Sequence, residues 1–111
     1  MNTMQVKDYL SDLPLGAVLY FHSLASTNDE AARLVNEGAP DLALVLADEQ
    51  TAGRGRDGRV WYTPAGSSLA FSIIIYPKET VAHIQSRLTA LGALAVHNAL
   101  RKQYNLPSLI K

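Results

Sequence analysis

The run Leu42–Ala47 (LALVLA) is apolar at six successive positions, and no other feature constrains the fold as tightly. A strand that faces water on one side alternates polar with apolar residues, whereas an unbroken run of this length marks a strand covered on both faces. Six residues are short for a helix and far below the ~20 that a membrane helix needs. Three or four strands and two helices could form a two-layer core around such a strand. The flanking segments supply candidates.

Gly16–Phe21 (GAVLYF) and Leu69–Tyr76 (LAFSIIIY) carry the β-branched and aromatic residues of strands. Between the first of these and the apolar run lies a helix signal. Thr27 followed by Glu30 makes a capping-box pattern, and Asn28, Asp29 and Glu30 place polar and acidic groups at the positive end of the dipole. Ala31, Leu34 and Val35 form an apolar stripe, and Gly38 with Pro40 stops the helix, so it is expected over 28–37. After Pro77 and Thr80, helical spacing of Ile84, Leu88, Leu91, Ala95 and Ala99 predicts a second helix over about 80–103. Residues 1–13 read as a lead-in closed by Pro14, and Ser108–Lys111 as the opening of a further strand with no evident partner. The order strand, helix, strand, loop, strand, helix, strand predicts an α/β (α+β) fold: a mixed β-sheet with helices packed on it and one edge left bare. With 111 residues, 48% of them hydrophobic and 18% charged, the chain suits one folded domain and is too apolar for disorder.

Ten basic residues balance ten acidic ones, so bulk charge points to neither nucleic acid nor an anionic membrane. There is no cysteine, which excludes a thiolate metal site and a cysteine nucleophile among these residues. Residues 1–11 lack the apolar core of a signal peptide, and a soluble cytoplasmic protein is expected. The three histidines, His22, His83 and His97, show no metal-ligand spacing; His22, near a strand end, is a candidate pocket residue or a plain boundary polar group.

Charge is concentrated in one place. Three of the six arginines, Arg54, Arg56 and Arg59, fall within six residues of the segment 48–67, which reads as a long irregular loop. Gly53, Gly55 and Gly58 satisfy G-x-G-x-x-G, but a dinucleotide fingerprint needs its glycines to end a strand and open a helix, and Val60–Gly66 is not helical. No Gly-Lys-Ser/Thr loop occurs either. Glycines alternating with guanidinium groups would suit a ligand bearing carboxylate and phosphate groups, over which the loop would close. A solvated surface loop and a nucleic-acid-binding arginine–glycine segment are the alternatives, the last wanting more repeats and an excess of basic charge.

The string ADEQTAGRGRDGRVWYTPAG (residues 47–66), with STNDEA (residues 26–31) upstream, resembles the biotin–protein ligase family, which is grouped with lipoate–protein ligases and octanoyltransferases. The likeness runs from about Phe21 to Lys111, in the family order of S-T-N helix start, E-Q-x-x-G-R-G-R loop, and L-x-x-S-I-I-I strand after P-x-G. It implies a biotin/lipoate ligase-like catalytic fold and a two-step reaction. Biotin and ATP, with Mg²⁺ expected, form biotinyl-5′-adenylate, and a lysine of a biotin carrier protein domain then takes the acyl group. Residue by residue, the resemblance implies that Ser26, Thr27 and Asn28 hold the biotin ring system and that Gln50 faces biotin or the adenylate. Gly53, Arg54, Gly55 and Arg56 would wrap the carboxylate and phosphate, Arg54 and Arg56 stabilising the charge that develops. Trp61, with Arg59, would support the nucleotide side, unless Trp61 is a core anchor. Asp57 departs from the pattern and would lower the local positive potential or face solvent.

In the family, the Ile-Lys matching Ile110-Lys111 continues into W-P-N-D and a later lysine that contacts the activated group. Residues 1–111 are therefore expected to be the N-terminal portion of a truncated catalytic domain, inactive alone and prone to self-association. A homodimer of the parent is left open. No membrane contact is expected, and residues 1–13 leave no room for the winged-helix domain of repressor-type members, hence no nucleic-acid role. A lipoate–protein ligase and a non-catalytic anion-binding or interaction module are the competing readings; the loop favours biotin over lipoate.

Overall fold

The structure, a computed structural model, describes residues 1–78 and 82–111. It divides into two compact units, Met1–Tyr76 and Pro77–Lys111. In the first, the elements run α1 (Thr3–Tyr9), β1 (Ala17–Leu24), α2 (Thr27–Asn36), β2 (Ala43–Arg54), β3 (Val60–Thr63) and β4 (Ala70–Ile74).

β2 is the centre of this mixed sheet. It pairs in parallel with β1, from Ala17↔Ala43 through Leu24↔Gln50. Along its other edge it is served by two antiparallel partners in succession. β4 takes the first half, from Ala43↔Ile74 to Ala47↔Ala70. β3 takes the second, from Gln50↔Thr63 to Arg54↔Val60, with a register irregularity between Gln50 and Gly53.

The apolar run is buried on both faces, as its composition demands. On one face Ala43 and Val45 pack with Ala31 of α2, Ile74 of β4 and the partly buried Phe21, Leu24 and Leu34. On the other, Leu44 packs with Val18 and with Val6 of α1, flanked by Leu10, Leu15 and Leu46. The sheet is thus covered by α2 on one side and α1 on the other. Removing such side chains from water supplies the main driving force for the fold.

Two expectations for this unit need correction. Residues 1–13 are not a featureless lead-in, because Thr3–Tyr9 is helical. Asn2 caps it, its side chain accepting from the Gln5 amide at 2.9 Å while Gln5 Oε1 accepts from the Asn2 amide at 2.9 Å. That reciprocal pair satisfies two otherwise orphaned donors. Nor is 48–67 one long loop. β2 continues through Arg54, and Val60–Thr63 returns beside it. The turn is Arg56-Asp57-Gly58-Arg59, closed by the Arg59 amide donating to the Arg56 carbonyl at 3.2 Å. Asp57 and Gly58 both have positive φ, 57° and 73°, the signature of a type I′ hairpin turn, for which Asp-Gly is a favoured pair. Asp57 is therefore a turn residue, whatever its effect on the local potential.

In the second unit, α3 spans Ile84–Tyr104; the expected start at Thr80 lies outside the described residues. Asn105, at φ 50°, ends the helix in the left-handed conformation, its amide donating to the Arg101 carbonyl at 3.1 Å and the Leu106 amide to Leu100 at 3.1 Å. This is a Schellman-type end, with Pro107 following. The strand expected at Ser108–Lys111 is not formed. Instead Ser108 Oγ lies 2.6 Å from His97 Nδ1, tying the segment back to α3.

Candidate active site

α2 begins where β1 ends, and its first turn faces the second half of β2. The N-cap is Ser26 and not the expected Thr27: its hydroxyl accepts from the Asp29 amide at 3.4 Å, and the helix starts at Thr27. One position on, Thr27 is 4% exposed, and burying its polar atoms requires partners. Gln50 supplies one, because its Oε1 accepts from the Thr27 amide at 2.8 Å and from Thr27 Oγ1 at 3.1 Å. A side-chain amide has two acceptor sites on oxygen and two N–H donors. Both acceptor sites are thus filled within the protein, leaving the Nε2 donors for another partner. Ser72 of β4 approaches from the opposite side, with Oγ 2.9 Å from Thr27 Oγ1 and 2.6 Å from Asn28 Oδ1. One hydroxyl proton serves one acceptor at a time, so Thr27 and Asn28 share it.

These groups border a cavity of about 340 Å³ lined by Ser26, Thr27, Asn28, Gln50 and Ser72, with Arg54 and Trp61 from the hairpin and Thr63 and Ser68–Phe71 from the β3–β4 side. Its position follows from the sheet. The partner of β2 changes from β4 to β3 near residues 48–49, and the lining residues Thr63 and Ser68–Ala70 come from the ends of the two strands and their connection. The volume is within the range of small-molecule sites, which combine apolar walls with a few placed polar groups.

Of the residues expected to form a site, Ser26, Thr27, Asn28, Gln50, Arg54 and Trp61 are brought together here. Trp61 is 61% exposed in this chain and lines the cavity at its rim, not packed in either core cluster of the described residues. Gly53, Gly55 and Arg56 are not among the lining residues. The two glycines have an internal reason for lacking a side chain. A Cβ on Gly53 would come within 2.8 Å of Gln50 Nε2, and one on Gly55 within 3.0 Å of Trp61 Nε1. They allow the Gln50 amide and the Trp61 indole to close against the hairpin backbone. Arg56 and Arg59 are exposed at the hairpin turn.

Arg54 is held differently. Its Nη1 and Nη2 donate to the two carboxylate oxygens of Asp29, at 2.8 and 2.6 Å. The guanidinium beside Asp29 holds that carboxyl below its ordinary pKa. On the outer face of α2, Arg33 bridges Glu30 and Glu37, both at 2.6 Å, and Glu30 is likewise held below its usual value by Arg33.

Ser72 was missed as a site residue. The L-x-x-S-I-I-I pattern contains it, but only the antiparallel register with β2 brings it across from α2. His22 does not line the cavity. Its side chain is 78% exposed, with Nδ1 3.5 Å from Asp48 Oδ2. The Tyr20 hydroxyl donates to that carboxylate, which pushes the phenol above its usual pKa.

Residues 20–110 match the family model described as the biotin/lipoate A/B protein ligase family. The chain belongs to that family. Among its relatives is the bifunctional ligase/repressor BirA of Bacillus subtilis, 38% identical over 98 residues, covering 87% of this chain and 30% of that protein. The biotin–[acetyl-CoA-carboxylase] ligase of Paracoccus denitrificans is 44% identical over 75 residues, covering 68% of this chain and 30% of its own length. A biotin protein ligase from Leishmania major, solved in complex with biotinyl-5-AMP, superposes with a TM-score of 0.68 at 28% identity, over 89% of this chain and 39% of that one. The same ligase with biotin gives 0.67 at 26% identity, over 81% and 35%. The mixed sheet packed against helices is thus the fold of biotin protein ligases, and the chain spans about a third of the length of the relatives it matches.

Proposed function

We propose that this chain carries the acid-recognition half of a biotin–protein ligase site, in which biotin is activated by ATP to biotinyl-5′-adenylate and passed to a lysine of a biotin carrier protein domain. The observation that carries this reading is the Thr27–Gln50–Ser72 cluster at the mouth of α2, bordering a cavity under an arginine-bearing hairpin. A cyclic urea presents one carbonyl acceptor and two N–H donors. The Gln50 Nε2 donors suit the carbonyl, and the Ser26 hydroxyl and Asn28 carboxamide suit the ring nitrogens. Leu69 and Ala70 offer the apolar wall that a thioether ring and alkyl tail would cover.

The carboxylate at the end of such a tail, and the α-phosphate it attacks, would develop negative charge toward the hairpin. There Arg56 and Arg59 make no ion pair among the described residues. Guanidinium groups closing on that charge would stabilise it and keep water off the mixed anhydride. Trp61 at the rim would cover the nucleotide side. Mg²⁺ would arrive with the nucleotide phosphates. Among the described residues no group of three or more His, Cys, Asp or Glu side chains could hold a metal ion.

Calorimetric titration with biotin, lipoate and a non-hydrolysable biotinyl-adenylate mimic tests this reading. The mimic should bind most tightly, biotin next and lipoate least. Equal response to biotin and lipoate would overturn the biotin assignment, and heat from neither acid nor mimic would overturn the site.

A further inference from the structure

Three arginines crowd the hairpin, yet they are not in equivalent states. Arg54 is paired end-on with Asp29 through two hydrogen bonds, while Arg56 and Arg59 sit beyond it at the turn. A guanidinium engaged with a carboxylate in this way is neutralised as a pair, and an incoming anion meets a carboxylate beside it. The unpaired cations farther along the hairpin are the better anion ligands. What the pair does instead follows from where its ends are. Asp29 lies in the first turn of α2, whose preceding residues Ser26, Thr27 and Asn28 line the cavity, and Arg54 is the last residue of β2.

We propose that Arg54 is a positioning residue, not an anion ligand. Its pair with Asp29 is a strut that holds the β2–β3 hairpin at a set distance from the mouth of α2, so that Trp61 is kept at the cavity and Arg56 at the turn just beyond it. This rests on the functional reading above and divides its arginines into one that places and others that bind. Both side chains of the strut are more than half exposed. Exposed ion pairs add little to global stability, so the effect belongs to local placement. Other contacts span the same gap, notably the Ala52 amide donating to the Ala25 carbonyl at 2.9 Å. The strut therefore trims an existing contact and does not create it.

The test reads amide hydrogen exchange at Ala52 and Gly55 in the ligand-free chain, which reports local opening of the hairpin, for Asp29→Asn, Arg54→Gln, the double variant and Asp29→Glu. Each single change should speed exchange by roughly two- to fivefold, the scale of an exposed ion pair. The double should do no more than either, and Asp29→Glu should recover protection. High salt should speed exchange in the parent and not in Asp29→Asn. In parallel, Asp29→Asn and Arg54→Gln should weaken the adenylate mimic by the same factor, with Arg56→Gln weakening it more. Loss of binding in Arg54→Gln with Asp29→Asn unchanged or tighter would overturn the strut and make Arg54 the ligand. Unchanged exchange in both singles would overturn it as well. Should the parent bind no mimic, the functional reading fails while the exchange results still decide the strut.

Discussion

The two halves of β2 are one continuous strand with opposite duties. Residues 43–47 lie between β1 and β4, buried under α2 on one face and α1 on the other, with Val45 at 0% exposure. Of residues 50–54 only Gln50 still pairs with β1; Gln50, Gly53 and Arg54 pair with the short β3, and the hairpin turn beyond them is exposed. In the first half side chains are fixed by packing, and each is judged by volume. In the second they are fixed by individual hydrogen bonds and ion pairs, and each is judged by its partner. A rigid strand thus delivers a polar, adjustable end to the first turn of α2, and the cavity forms where the strand changes neighbours.

Substitutions should separate the halves. The largest effect belongs to Val45→Asp, which would bury an unpaired carboxylate at the sheet centre; loss of the cooperative thermal transition is expected. Val45→Ala should lower stability by on the order of 2 kcal/mol in chemical denaturation without selectively affecting the binding of the adenylate mimic. Gln50→Ala removes the partner of a buried amide and hydroxyl at Thr27. It should cost about 1–3 kcal/mol and weaken the mimic by more than tenfold in calorimetry. If Gln50→Ala altered stability alone, the division between the halves would fail.

Gly53→Ala puts a methyl group where Gln50 Nε2 now sits, and should act on binding more than on stability. Gly58→Ala strains the positive-φ turn and should cost about 1 kcal/mol. It should also broaden the response of Trp61 fluorescence to ligand. The smallest effect is a pH dependence. The Asp29 carboxyl is held below its ordinary value in the folded state, so the pair with Arg54 is intact at neutral pH. Its contribution is lost as pH falls through that lowered value. Hydrogen exchange at the hairpin, corrected for intrinsic rates, should rise there in the parent and not in Asp29→Asn.

How much of this was legible in the residues differs between the halves in the same way. The buried half announces itself, since LALVLA reads as a strand covered on both sides, and the polar run at Ser26–Glu30 marks a helix start, although the cap is Ser26 and not Thr27. The polar half hides its strand character, because glycine and arginine replace the β-branched residues that mark strands. The one local signal was Asp57-Gly58, a favoured hairpin pair, which looked like an anomaly within an arginine loop. α1 was concealed similarly, by its seven residues; only the Asn2–Gln5 spacing marks it. The site residues next to one another in sequence, Ser26 to Asn28, were readable from their resemblance to a known pattern. Ser72, which meets Thr27 from 45 residues away, and the bond from Asp29 to Arg54, 25 residues apart, depend on how strands pack against α2, which local patterning does not encode.

The most direct measurement is chemical-shift mapping on the isotopically labelled chain during titration with the adenylate mimic. Perturbations should concentrate at the Ser26–Asn28 amides, the Gln50 side-chain amide, Arg56, the Trp61 indole and Ser72, with the Val6–Val18–Leu44 face silent. Shifts gathered on the α1 face, or spread without a centre while the Gln50 side chain stays fixed, would contradict the proposed site.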